Sequence, residues 1–555
     1  MIRIRGVIIL GAASAIAAGA MTASAAAETQ PVVQVTGGMI RGSVPAPAGS
    51  GAVFKGIPFA MPPVGDFRWR EPKPVTSWQG VRDATHYSPA CVQNPVGTAV
   101  FLSPLAKLYG EAYPQTKIAM SEDCLYLNVW TPEWPVKQTA PVMVWIHGGS
   151  NLMGSGAESS YNGTALARKG VVVVTINYRL GALGFFEHPE LTRESPHHAS
   201  GNYGLLDQIA ALEWIHQNIV QFGGDPGRVT MFGQSAGSLD IGQLLCSPLA
   251  RGLFQRAIME SGPVLLSLHT TPLSKGEHFG EQVALSLGLS GAGQIERMRA
   301  LPTETVIAKV NEVTKRVGDP GGVLDGWFIR EPPAHIFAQG RELPVDIMIG
   351  NTGHEMSAFR AAAAARGGGS SARSGDSPIQ TLKIFYGHSA QLVLAAFLVD
   401  NTLGRHDAAD SWLNDILGAC PGMAMASLQA TEGHRSYVYE FDREIPGSGQ
   451  RALGSFHGLE IPYVFGALHD PTWSWLKFSG VDSKLSAAVQ DYWTNFAKTG
   501  NPNGPQLPDW RKFDSSGQDA MQFGKTGTIS LRSHSGPPYC DLDPADLKQR
   551  LNSAN

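Results

Sequence analysis

The chain has 555 residues, 43% of them hydrophobic and 16% charged, so it can bury a large core and lacks the composition of a disordered protein. Its 43 Lys and Arg stand against 47 Asp and Glu, a formal charge of −4, which excludes a broad electrostatic grip on nucleic acid. A mean hydropathy of −0.08 argues against a polytopic membrane protein.

In chain order the first feature is a targeting pattern. Arg3 and Arg5 form a short basic region, Gly6 to Met21 is apolar and uncharged, and Ala23-Ser24-Ala25 and Ala25-Ala26-Ala27 each fit a small-residue cleavage site. This predicts a secretory signal peptide over residues 1–27 and a secreted or periplasmic mature protein. No later segment reaches about 18 uninterrupted apolar residues, so no stable membrane insertion is expected after signal removal.

Buried-strand signals follow, separated by helical ones. Val142 to Ile146, Val171 to Ile176, Val229 to Phe232, Val345 to Ile349 and Tyr437 to Phe441 are short apolar or β-branched runs. Leu205 to Asn218 and Leu485 to Lys498 carry helical periodicity. Continuous apolar strands alternating with helices predict an α/β, doubly wound architecture with a mostly parallel sheet covered on both faces. No 20–50-residue period repeats. Residues 361–377, an alanine run leading into Gly367-Gly368-Gly369-Ser370-Ser371, read as a flexible loop within one domain. Average domain size alone allows roughly three or four units in this length. Nothing else resembles a linker, so residues 28–555 are expected to form one domain.

Gly233-Gln234-Ser235-Ala236-Gly237 is the chain's G-x-S-x-G pattern. A strand precedes it and Ser238 to Leu245 can form a helix after it. A sharp strand–turn–helix bend needs glycines beside the serine and holds its hydroxyl out at the helix start. Ser235 is therefore a candidate nucleophile. His147-Gly148-Gly149-Ser150 follows the strand ending at Ile146, the arrangement that turns backbone N–H groups toward a developing oxyanion. No His/Cys cluster has zinc-site spacing, and no cofactor is expected. Trp473, Trp475 and Phe478 can line a pocket or pack the core.

Taken with these motifs, Phe54-Lys55-Gly56-Ile57-Pro58-Phe59-Ala60, Pro62-Pro63-Val64-Gly65, Ser121-Glu122-Asp123-Cys124-Leu125-Tyr126-Leu127-Asn128-Val129, Asn202 to Gln208 and Phe222 to Pro226 resemble the signatures of the type-B carboxylesterase family, which includes para-nitrobenzyl esterases and cholinesterase-like enzymes. The resemblance spans about residues 31 to 545 and implies an α/β-hydrolase fold, a small-molecule ester as substrate, and hydrolysis through an acyl-enzyme. It implies Glu355 in Gly353-His354-Glu355 as the acid and His457 in Phe456-His457-Gly458 as the base. The chain order Ser235, Glu355, His457 also fits α/β-hydrolases in general. Asp325 and Asp346 are nearby alternatives for the acid, though Asp346 falls inside a strand. The resemblance further implies oxyanion donors at Gly149 and Ser150, with Ala236 following from the elbow, and a disulfide between Cys91 and Cys124. Cys420–Cys540 is a further candidate pair, which would leave Cys246 free. Ser261 either bonds near the base or marks a turn. The chain departs from the family pattern at His354-Glu355-Met356, at Gln234 where Glu is common, and at Ser150 where Gly or Ala is usual. Members acting on aryl, feruloyl, toxin-like or polyester substrates, or on amides, share the same motifs, as do non-catalytic binding relatives that have lost the serine or histidine.

Overall fold

The computed structural model describes residues 30–45, 51–94, 97–114, 118–266, 271–318, 321–365, 378–403, 411–537 and 539–553. The signal-peptide reading of residues 1–27 lies outside them.

A ten-stranded mixed sheet organises the molecule. Its strands are β1 (Val53–Pro58), β2 (Tyr126–Trp130), β3 (Ala140–Ile146), β4 (Val172–Ile176), β5 (Gly224–Gln234), β6 (Arg256–Glu260), β7 (Asp346–Thr352), β8 (Ser436–Phe441), β9 (Ala520–Phe523) and β10 (Ile529–Arg532). Their spatial order is β10-β9-β8-β7-β6-β5-β3-β4-β2-β1. From β9 to β4 every pairing is parallel; β10 on one edge, and β2 and β1 on the other, run antiparallel to their neighbours.

The central strands read as continuous apolar runs because both of their faces are covered. In β3, Val142, Val144 and Ile146 enter one core, while Met143 and Trp145 enter another on the opposite face. Six helices matter below: α1 (Ala99–Leu108), α2 (Tyr203–Asn218), α3 (Ala236–Cys246), α4 (Glu355–Ala365), α5 (Cys420–Thr431) and α6 (Gly480–Thr499). Helices α2, α3 and α5 supply the first core; α1, α4 and α6 supply the second. Trp473 and Trp475 are buried in that second core, with Phe478 packed against it.

One expectation is corrected. Ala361 to Ala365, read as the start of a flexible loop, are the last residues of α4. Alanine has the highest helix propensity, so the run extends the helix that Glu355 begins; residues 366–377 lie outside the described set. The stretch Leu382–Asp400 is also long and apolar enough, by length and composition, to cross a membrane, and 33% of its window is buried. Disulfides join Cys91 to Cys124 and Cys420 to Cys540, and Cys246 is a buried free thiol.

Candidate active site

The sequence-predicted residues gather at the carboxyl ends of β3, β5 and β7 and in the loop after β8, where parallel α/β sheets place their ligand crevice. Ser235 is the single residue between β5 and α3 and has φ 57°, ψ −123°. This left-handed, strained backbone is the expected cost of turning from strand to helix in one residue. The turn fits only because its neighbours lack side chains: a Cβ on Gly237 would lie 2.1 Å from the Ile146 carbonyl, and one on Gly233 would lie 2.8 Å from it. The Ser235 N–H donates to the Glu260 carbonyl at 2.8 Å, extending the β5–β6 ladder into the turn.

Glu355 is the first residue of α4, and its Oε1 accepts the Thr352 N–H at 2.7 Å. Its Oε2 accepts a short hydrogen bond from His457 Nδ1. With the proton on Nδ1, His457 Nε2 is a bare acceptor, and the Gln234 side-chain N–H meets it at 3.2 Å. The Ser235 hydroxyl itself has no hydrogen-bond partner among the described residues, as is common before substrate binds. Burial opposes a charge on His457, but the Glu355 charge and hydrogen bond, together with Glu460, outweigh it, and the imidazole is held above its usual range. The alternative acids are elsewhere engaged. Asp346 pairs with Arg435 at 2.6 Å, and Asp325 accepts from Asn202 at 2.9 Å and from two backbone N–H groups.

His147 is not available as a base. It is fully buried, stacked on Tyr178, and burial pushes it down to about 4. Its Nδ1–H donates to the Gly148 carbonyl at 2.9 Å. The loop it begins reaches the elbow, for a Cβ on Gly148 would stand 3.1 Å from the Ser235 Cβ. The N–H groups of Gly149, Ser150 and Ala236 have no protein acceptor among the described residues.

The sequence reading missed several neighbours. Phe359 and Phe101 sit against His457, with ring centroids at 4.8 and 6.3 Å, and 38% of Phe359 remains exposed. Behind the histidine lie two fully buried carboxyls, Glu460 and Glu260. Burial raises both, Glu260 to about 8, and Glu355 and Glu260 push Glu460 further up. Ser261, itself at φ 55°, donates to Glu460 at 3.2 Å, so it marks a turn and bonds a neighbour of His457, not His457 itself. His354, Asp442 and Glu444 bring metal-ligand atoms within 4.8 Å of one another, but the Lys525 ammonium already stands 2.6 Å from Glu444 Oε1 as its counter-charge.

Comparison with known proteins decides what this crevice belongs to. Residues 29–539 match the model of the Carboxylesterase family. Fumonisin B1 esterase of Sphingopyxis macrogoltabida is 35% identical, over 87% of this chain and 85% of the relative. Para-nitrobenzyl esterase of Bacillus subtilis (strain 168) is 34% identical, over 86% of this chain and 92% of the relative. The chain belongs to the carboxylesterase family. A solved PNB esterase superposes on this carboxylesterase with a TM-score of 0.74, at 31% identity, covering 94% of this chain and 99% of that one. Its fold is accordingly the α/β-hydrolase fold, and its relatives support hydrolysis of carboxylic esters.

Proposed function

We propose that the carboxylesterase works through Ser235, His457 and Glu355 and passes through an acyl-enzyme. In this reading Ser235 Oγ attacks the ester carbonyl carbon while His457 Nε2 takes its proton. The oxyanion forms against the N–H groups of Gly149, Ser150 and Ala236. Glu355 keeps the Nδ1–H tautomer and stabilises the imidazolium. His457 then returns the proton to the leaving alcohol, and water, activated by the same nitrogen, attacks the acyl-serine and frees the acid.

The observation that carries the reading is the Glu355–His457 hydrogen bond, which leaves Nε2 as an acceptor beside the elbow. The buried, neutral state of His147 supports it by removing the histidine of the oxyanion loop from the role of base. Ser235→Ala should lower kcat by on the order of 10⁶-fold. A variant that kept most of its p-nitrophenyl ester hydrolysis would overturn the assignment.

Two extensions rest on the same reading. The substrate is a small-molecule ester whose alcohol is apolar, because the group that protonates the alcohol is flanked by Phe101 and Phe359. The protein is secreted or periplasmic, with residues 28–555 acting as one domain; two disulfides support an oxidising compartment, and a sheet drawing strands from Val53 to Arg532 supports one unit.

A further inference from the structure

The loop after β3 holds three consecutive residues in the left-handed region: Gly149 at φ 106°, Ser150 at φ 58° and Asn151 at φ 55°. Glycine adopts this conformation freely, but serine and asparagine need surroundings that enforce it. Asn151 is held from three sides. Its carbonyl accepts the Gly181 N–H at 2.7 Å. Its Oδ1 faces the Tyr178 hydroxyl at 3.0 Å, and that hydroxyl also reaches the His147 carbonyl at 2.7 Å, so one tyrosine touches both ends of the loop. Its Nδ2–H donates to Asp240 Oδ1 at 2.9 Å.

Asp240 is fully buried and sits in α3, one helical turn beyond Ala236. Its second oxygen accepts the Gln208 side-chain N–H of α2 at 2.6 Å. No cation pairs with it among the described residues, and burial raises it to about 7. A buried carboxyl without a counter-charge is unfavourable, and the proposed chemistry does not use this one.

We propose that the Asn151–Asp240 hydrogen bond is a strut that sets the geometry of the oxyanion pocket, making both side chains positioning residues. The inference rests on the oxyanion assignment above. Two of the assigned donors, Gly149 and Ser150, lie on the loop that Asn151 closes; the third, Ala236, lies on the helix that carries Asp240. A single side-chain bridge therefore fixes the distance between the two halves of the pocket. Gln208 fixes Asp240 in turn, so the bridge is anchored in the α2 layer. Pre-positioned donors stabilise the oxyanion only where they meet the displaced carbonyl oxygen, so a shift of the loop acts on the transition state more than on bound substrate.

The test uses Asn151→Ala, Asn151→Gly, Asp240→Ala and the double variant Asn151→Ala/Asp240→Ala. Removing one oxyanion donor costs about 10²–10³-fold in kcat, and displacing the loop should cost about 10–100-fold with KM within about twofold. Affinity for a trifluoromethyl ketone, which Ser235 Oγ attacks to form a tetrahedral oxyanion adduct with the proton passing to His457, should fall in proportion to kcat/KM. The double variant should be no worse than either single one, since both remove the same bridge. Asn151→Gly is the discriminating case. It permits the left-handed backbone without the bridge, so it should be as impaired as Asn151→Ala. Wild-type kcat in Asn151→Gly, or multiplicative losses in the double variant, would overturn the strut. Should Asp240→Ala not fold, the two Asn151 variants, at a half-buried site, still decide the matter. Ser235→Ala runs in parallel: activity surviving there sinks the nucleophile reading, whereas a dead Ser235→Ala beside a fully active Asn151→Gly sinks the strut alone.

Discussion

At the scale of single residues, the neighbours of His457 determine how its proton moves. Its Nδ1–H is fixed on Glu355 and its Nε2 touches the neutral Gln234 amide. Burial is the largest single influence and disfavours the imidazolium, but the Glu355 charge, its hydrogen bond and the nearby Glu460 together outweigh it, and the net shift is upward from 6.5. As the proposed base, His457 must be neutral, so kcat/KM should rise with pH through an acid limb whose midpoint lies above 6.5. Replacing Glu355 by Gln removes the charge and should move that limb down, as well as lowering kcat. Replacing Gln234 by Glu sets a second carboxylate beside Nε2 and should move it up. A pH series on the three proteins with one ester checks both directions, and an unmoved limb in the Gln234 variant contradicts the contact. The sign for stability is the opposite one. The pair's contribution is fully present below 6.5 and is lost as pH climbs through the raised folded-state value, so the pH range that activates His457 is the range in which its ion pair ceases to support the fold.

At the scale of elements, helix α4 joins the proposed acid to a proposed substrate contact. Its first residue is Glu355, and one turn later Phe359 meets Phe101 of α1 at 5.3 Å and His457 at 4.8 Å. A phenylalanine left 38% exposed beside a proposed proton donor is available for contact with the leaving alcohol. Phe359→Ala should lower kcat/KM for benzyl or naphthyl esters about 2–10-fold more than for methyl esters of the same acid, the worth of one aromatic contact. It should hardly move Tm, since the side chain is not core. Equal losses across both alcohol classes would place Phe359 outside the alcohol side. The elements also show what the residue pattern could convey. Strands such as Val172–Ile176 are legible because both faces are covered and every residue but Thr175, itself β-branched, is apolar. Ser235 was legible because its glycines are demanded by contacts with Ile146, and those contacts lie next to the motif. The last turn of helix α4 reads as loop from sequence because an alanine run beside glycines looks like a loop when no packing is visible. Asn151 and Asp240 could not be foreseen at all. They are 89 residues apart, and no local pattern announces an amide that the fold brings against a buried carboxyl.

At the scale of the whole molecule, the site is assembled from distant segments on one sheet, so its precision depends on how firmly the sheet's surroundings are tied. Two covalent ties contribute. Cys91–Cys124 spans 33 residues just before β2, and Cys420–Cys540 spans 120 residues, joining the start of α5 to the chain beyond β10. In the loop-entropy account the two contribute about 4 and about 5 kcal/mol, growing only logarithmically with loop length. The longer loop encloses β8, β9, β10 and His457, so its reduction frees the proposed base relative to Ser235, which lies outside it. Cys246 takes no part. It is buried in the first core, and burial raises its thiol well above the usual range, which keeps it unreactive. The expected chemistry is therefore definite: native protein resists alkylation, unfolded unreduced protein takes up one alkyl group, and reduction first allows five. Intact-mass measurement reads this directly, and three alkyl groups on unreduced, unfolded protein would mean that one tie is missing. Cys420→Ser/Cys540→Ser should lower the urea midpoint more than Cys91→Ser/Cys124→Ser. It should also lose esterase activity at a urea concentration where the other pair still turns over, because the segment it releases carries His457 while Ser235 stays anchored between β5 and α3.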